Sequence, residues 1–349
     1  MKAGIKILHV SKKGSRYTIK EMEVNTLLTL NNHKEFESGD NSNVIATDSQ
    51  KNTVYILAKK FGITNPEEFG LLIANHFISM YSKVATAKVS IIAEPWQRFT
   101  DLAGKPHDHV FVSHPKSTRV ASISVSRGKQ PMISSGIRNL RVLKTTQSSF
   151  TNFVSDEYRS LPDNDDRLLS TIMTADWTYN NDVNRKIDFD ESWHKVQESI
   201  LETFAGTFSS SVQNTQYLTE KSILERLPEV EKISMTMPDV HYYGFDFSKF
   251  QQISGLNETM SRDVYVPVEN PSGQIQLTLS RGKKERNLSD TKREEMNSRQ
   301  PIPLERIKSH KKIEEIGKIQ IINRCKKNLS IIEKHTKLKY VCKSSLKNI

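Results

Sequence analysis

The chain has 349 residues, 36% of them hydrophobic, with 51 Lys and Arg against 40 Asp and Glu, long enough for two domains with substantial cores. No run of about 18 apolar residues occurs, which excludes a transmembrane helix, and Met1-Lys2-Ala3-Gly4-Ile5-Lys6 has no apolar stretch of signal-peptide length, so a cytosolic product is expected. The net charge of +11 is localised: residues 282–349 hold 19 Lys and Arg against 8 Asp and Glu, residues 1–281 are neutral, and the basic pI therefore identifies no ligand for the main body.

In chain order, Ile5–Val10 and Thr18–Leu30 read as two strands around a Lys12-Lys13-Gly14-Ser15 turn. A helix follows with Val54, Leu57, Ala58 and Phe61 on one face and Gly62 as its stop. Asn65-Pro66-Glu67-Glu68 opens a second helix as cap, proline and acids, with Phe69, Leu72, Ile73, Phe77 and Met80 facing inward. Strands return at Lys88–Ala93, His109–Ser113 and Ala121–Ser126.

The order then repeats. Leu140–Gln147 and Leu168–Trp177 are strand-like, one helix carries Trp193, Val196, Ile200 and Phe204 to Gly206, and another runs from Ser210-Ser211 to before Pro228. Ile233, Met235 and Met237 alternate with polar residues, as do Ile275, Leu277 and Leu279 after an Asn270-Pro271-Ser272-Gly273 turn. Strand-strand-helix-helix-strand-strand, twice, predicts an α+β fold with antiparallel sheets and paired helices on one face. The boundary falls near Ser134–Gly136, giving units 1–134 and 135–281. Residues 282–349 lack Phe and Trp and contain both cysteines, Cys325 and Cys342. Thiol catalysis and a cysteine-based metal site are thus excluded from residues 1–281. The tail reads as solvated and flexible; Leu304–Lys334 offers a loose basic helix interrupted by Gly317, with membrane-surface or nucleic-acid contact as the alternatives.

Several short segments carry chemistry. Thr47-Asp48-Ser49 within Val44–Val54 reads as a helix-capping loop. Leu143–Phe150 leads through Asp156-Glu157-Tyr158 to Asp166-Arg167, Ser211-Val212-Gln213 opens a helix, and Met237-Pro238-Asp239-Val240-His241-Tyr242 ends a strand. Each alone is unremarkable. Together, and through stretches such as Ala46–Tyr55, Leu143–Phe150 and Ile233–Pro238, residues 2–281 resemble urate oxidase, the uricase family, in its insect forms.

That resemblance implies two tandem T-fold (tunnelling fold) units, a homotetrameric barrel, and active sites between subunits. It implies urate, O2 and water as substrates, 5-hydroxyisourate and hydrogen peroxide as products, and no metal or organic cofactor. No nucleic acid or membrane is required by the main body. Arg167 would present a planar fork of donors to urate, Gln213 a paired donor and acceptor, Phe150 a stacking face, and Val212 a main-chain contact. Thr47 and Asp48 of a neighbouring subunit would hold the opposite edge. Lys2, Thr47 and His241 would relay the proton and activate water.

The chain departs from the family at Asp239, where the resemblance implies asparagine. A carboxylate cannot donate to water or dioxygen and lies beside an anionic substrate, so weakened turnover is expected, and a degenerate paralogue that binds purines without turnover is the alternative. Lys2 follows Met1 directly where relatives carry further residues, so a frayed start is expected. The resemblance implies peroxisomal residence, but Lys347-Asn348-Ile349 is not a Ser-Lys-Leu-like address, which leaves cytoplasmic residence open. A remote alternative, a zinc-dependent T-fold pteridine enzyme, rests on His107, His109 and His114.

Overall fold

The computed structural model describes residues 1–12, 16–113, 117–180, 186–250, 252–253, 263–268, 270 and 272–281. Parts of the two sequence-predicted turns at 12–15 and 270–273, His114 and the entire tail from residue 282, with both cysteines, lie outside the described residues. Met1–Gly282 forms one compact unit.

Its first half runs β1 (Lys2–Ser11), β2 (Thr18–Leu30), a single turn α1 (Lys34–Glu37), α2 (Thr47–Phe61), α3 (Pro66–Met80), β3 (Val84–Ala93), β4 (Trp96–Thr100), β5 (Pro106–Ser113) and β6 (Thr118–Ser126). The second runs β7 (Met132–Lys144), β8 (Leu169–Tyr179), α4 (Phe189–Gly206), α5 (Val212–Arg226), β9 (Val230–Gly244), β10 (Tyr265–Val268) and β11 (Gln274–Ser280). Among the described residues nine strands make one antiparallel sheet in the order β1-β2-β3-β6-β7-β8-β9-β10, with β11 also on β9. The expected α+β class holds. The stretch His109–Ser113 is a strand as expected, but it pairs with β4 in a separate two-stranded hairpin rather than joining the main sheet.

Alternation becomes register. Ile5 and Ile7 lie opposite Val24 and Met22, Val24 opposite Ile91, and Ile91 and Val89 opposite Ala121 and Ile123. All are buried, so one face of four strands carries a continuous apolar surface. Helices α2 and α3 close it with Val54, Leu57, Phe69, Ile73 and Phe77. Phe61 and Met80, expected inward, are 56% and 65% exposed; each is the last residue of its helix. In the second half Ile137, Met173, Ala175, Trp177, Ile233 and Met235 meet Trp193, Val196, Ile200 and Ile223 of α4 and α5.

Strand β7 begins eight residues before the sequence suggests, at Met132, so that Ser134–Gly136 pairs with both β6 and β8. Its register slips between Ile137 and Leu140, where Asn139 takes φ 59°. The bulge turns both apolar residues inward although they are three apart. Gly136 is required for close approach: a Cβ there would lie 2.8 Å from the Ala175 carbonyl oxygen and 2.7 Å from an Asp176 carboxylate oxygen. Gly136→Ala is expected to cost about 1–3 kcal/mol, read as a lower urea midpoint with unchanged slope; an unchanged midpoint would contradict the packing described.

The two halves repeat in their hydrogen bonds as well as in element order. Asn65 caps α3 through the Glu68 N–H, and Ser211 caps α5 through the Asn214 N–H. At the far ends Arg127 donates to the carbonyls of Ile78, Tyr81 and Val84, and Arg281 to those of Leu224, Leu227 and Val230, with the same spacing in each trio. Each arginine gathers carbonyls left over at a helix C-terminus.

A buried ion network joins α3 and β6 to the second half. Arg119 on β6 reaches Glu67 at 2.6 Å and Asp190 on α4 at 2.5 Å, and its guanidinium lies over the Trp193 ring. Glu67 also accepts the Ser135 hydroxyl, which contacts Tyr179 at 2.9 Å. Burial pushes the Glu67 carboxyl upward against the pull of Arg119 and Ser135. Burial alone would depress Arg119, yet Glu67 and Asp190 together raise it, so the guanidinium stays charged. No helix among the described residues is long and apolar enough to cross a membrane.

Candidate active site

Past Lys144 the chain leaves the sheet and is held by main-chain bonds. Ser149 N–H donates to Ser209 at 2.9 Å, Phe150 and Asn164 exchange N–H···O bonds, and Arg167 N–H donates to the Ser148 carbonyl at 2.9 Å. Gln147 and Asn152 adopt positive φ, which turns the loop back on itself. These constraints hold Phe150 and Arg167 beside the N-terminus of α5 and the C-terminal half of β9.

The result is a cleft of about 900 Å³. Phe150, Arg167, Val212, Gln213, Asp239 and His241 all line it. They come from a loop, a helix start and a strand end, brought together because β8, α5 and β9 are neighbours in space. Val212 is buried and Gln213, the next residue, is exposed to the cleft. Asp239 N–H donates to Gly273 and fixes the strand end against the residue before β11.

Arg167 governs the electrostatics. Its Nη1 lies 3.2 Å from Asp239 Oδ2, and the two side chains are 16% and 15% exposed. Its guanidinium carbon is 5.6 Å from the centre of the Phe150 ring, which stacks on Phe153 at 4.6 Å. The Arg167 Nε is buried without a protein partner, a donor that costs free energy as long as it stays unpaired. Asp239 thus takes Nη1 of the guanidinium, within the cleft that both residues line. The His241 ring stacks on Tyr243 at 5.8 Å.

Lys2, Thr47 and Asp48 do not line this cleft. They form a second cluster in the first half. Lys2 begins β1 opposite Thr26, and the Thr26 hydroxyl donates to the buried Gln50 of α2 at 2.8 Å. Gln50 in turn donates to the Ile45 carbonyl at 2.9 Å, which pins the start of α2 to β2. The capping role expected of Thr47-Asp48-Ser49 is not what the helix uses: its cap is Ala46, without a side-chain bond, and Thr47 is the first helical residue with its side chain exposed. Asp48 accepts from Lys51 at 2.6 Å and Asn52 at 2.9 Å. The Lys51 bond and charge, with a smaller contribution from Lys2, hold its carboxyl below the usual range.

His107 and His109 share β5, their rings edge to face at 4.5 Å. Among the described residues no group of three His, Cys, Asp or Glu side chains could hold a metal ion; His114, the third member of the expected trio, lies outside them.

Sequence reasoning missed two features of the cleft. Tyr242, Tyr243 and Tyr265 line it where β9 and β10 pair, and Asp163, Asp165 and Asp166 stand at its loop side. The run Asp163-Asn164-Asp165-Asp166 was a visible signal; the tyrosines were not, since only the pairing of β10 with β9 brings Tyr265 to the site.

The uricase family model matches residues 1–124 and 133–276. A uricase of Drosophila pseudoobscura pseudoobscura is 43% identical over 308 residues, covering 80% of this chain and 87% of that protein. One of Danio rerio is 38% identical over 282 residues, covering 79% and 91%. Among solved structures, uricase from Arthrobacter globiformis is 31% identical, covers 82% of this chain and 94% of its own, and superposes with a TM-score of 0.74. With the fold, the cleft and these likenesses in agreement, the chain belongs to the uricase family.

Proposed function

We propose that the chain oxidises urate: urate, O2 and water give 5-hydroxyisourate and hydrogen peroxide, without a metal or organic cofactor. The observation that carries this reading is one cleft in which a guanidinium, a helix-start carboxamide, an aromatic face and an imidazole converge. A planar purine anion offers the matching edge to Arg167 and Gln213 and the matching face to Phe150. His241 stands at the strand end beside Asp239, in position to assist proton movement.

The relay is completed between copies. Lys2, Thr47 and Asp48 lie outside the cleft of their own chain, so in this reading the pair of clusters is joined in a homotetramer, each site drawing Phe150, Arg167, Val212, Gln213, Asp239 and His241 from one chain and the lysine–threonine–aspartate cluster from another. Each chain contributes two T-fold units, 1–134 and 135–281, with the basic tail beyond them. Peroxisomal residence fits a reaction that releases peroxide, with the cytoplasm as the alternative.

Purified full-length protein is expected to consume urate, seen as loss of its ultraviolet absorbance, with one peroxide formed per urate and a solution mass near four chains. The Arg167–Asp239 pair favours a second reading, purine binding without turnover. Saturable urate binding with no peroxide would establish that second reading, and no urate binding at all would overturn both.

A further inference from the structure

Helix α5 presents Gln213 to the cleft, and the same helix carries two fully buried polar side chains deeper in the fold, Gln216 and Glu220. Both converge on one residue of β9. The Met235 N–H donates to Glu220 Oε1 at 3.0 Å, and Gln216 Nε2 donates to the Met235 carbonyl at 2.6 Å. Two buried atoms are then left over, Glu220 Oε2 and Gln216 Oε1. Both are acceptors if the carboxyl is ionised; the Gln216 amide as a whole is near enough to Glu220 for its N–H to pull the carboxyl down. Two unsatisfied acceptors on successive turns of one buried helix face are costly. One proton removes both problems: Glu220 Oε2–H donates to Gln216 Oε1, and a closed ring forms through Met235 N–H, Glu220, Gln216 and the Met235 carbonyl.

We infer that Glu220 is a neutral carboxylic acid whose proton closes this ring, and that the ring is a positioning device for the urate site of the proposed function, clamping α5 with its Gln213 onto β9 with its Asp239 and His241. The repeat supports a role in the site rather than in the fold. Counted from the caps Asn65 and Ser211, the positions of Gln216 and Glu220 are held in α3 by Gly70 and Ala74. The first half thus packs the same helix on the same strand without a polar clamp, and the clamp occurs only in the half that carries the cleft.

The surroundings agree. Burial lifts the Glu220 carboxyl to about 7, opposed only by the N–H groups of Met235 and Leu279 and by Gln216. Among the described residues no charged group contributes to its shift. On α4 the charged side chains are exposed except Asp190, which is bound to Arg119. On β9, Lys232 is exposed, Glu231 and His241 are half-buried and neither contributes to the Glu220 shift, and Asp239 is taken by Arg167, while β11 has no charged residue. Because the folded value lies above the ordinary 4.5, the stabilisation is complete below about pH 4.5 and is lost as pH rises through about 7.

Glu220→Gln replaces the acid by an amide that donates to Gln216 and accepts from Met235 at every pH; Glu220→Leu removes the ring. Melting temperatures of full-length protein at pH 5 and pH 8.5 are the first readout. Wild type and Glu220→Gln are expected to match at pH 5, and wild type to fall roughly 5 °C further than Glu220→Gln by pH 8.5. Glu220→Leu is expected to be low at both. The second readout is KM for urate, expected about 3–10-fold lower in Glu220→Gln than in wild type at pH 8.5, with kcat unchanged. Parallel melting of wild type and Glu220→Gln across this range, or a Glu220→Gln as unstable as Glu220→Leu at pH 5, would overturn the neutral acid. Equal KM values with the expected melting would confine the ring to stability and overturn its positioning role. Melting requires no turnover, so this arm stands or falls separately from the urate reading.

Discussion

Asp239→Asn is expected to raise kcat/KM for urate by about 10²–10³-fold. The carboxylate faces the cleft 3.2 Å from the Arg167 guanidinium, and it acts against a purine anion in two ways. It offers no donor to water or dioxygen held above the ring. It also adds a negative charge beside a negative substrate, a repulsion of about 3 kcal/mol for unit charges about 5 Å apart at an effective dielectric near 20. That alone is worth about two decades of rate or affinity. Asparagine supplies a donor and removes the charge, while freeing Nη1 of Arg167 for substrate. Asp239→Ala removes only the charge and is expected to recover part of the gain. Peroxide release and loss of urate absorbance measure all three proteins; equal rates for wild type and Asp239→Asn would dispose of the argument.

The largest loss of stability is expected from Arg119→Ala, about 3–5 kcal/mol. The substitution strands Glu67, which is fully buried, with Ser135 as its remaining side-chain partner. It also withdraws the guanidinium that joins α3 to Asp190 and the Phe189 carbonyl on α4. Urea unfolding gives the magnitude. A double variant carrying Glu67→Gln as well should lie above Arg119→Ala alone, because it no longer buries an unpaired charge. If the double variant is the less stable one, the penalty comes from lost packing and not from the stranded carboxylate.

Much of the fold was legible because apolar alternation is a local property. Ala121, Ile123 and Val125 announce a one-sided strand wherever they occur, and Asn65-Pro66 announces a helix start. What escaped was set by the neighbours. The first part of β7 contains Ser134, Ser135 and Gly136, a polar and small stretch that is strand only because β6 and β8 flank it. The bulge at Asn139 breaks the period-two pattern that would have revealed it. Phe61 and Met80 fit the helical stripe, yet as the last residues of their helices both are exposed. The site was legible only by resemblance. No spacing rule links Phe150, Arg167, Gln213 and His241, which meet through the crossing from β8 over α4 and α5 to β9. Within that cleft the sequence could not show that Asp239 engages Arg167, since only the register of Asp239 opposite Thr171 brings the two side chains into reach.

The doubled architecture has a consequence for where recognition can occur. Glu67 and Gln213 are the second residues of equivalent helices, and counting back from the clasp arginines Arg127 and Arg281, Arg119 on β6 corresponds to Gly273, the residue before β11. In one half a long cationic side chain grows from that point and satisfies the helix start from within. In its twin, glycine supplies no side chain, and the helix start faces open space beside Asp239. One repeated shape thus serves as mortar in the first copy and as a mouth in the second.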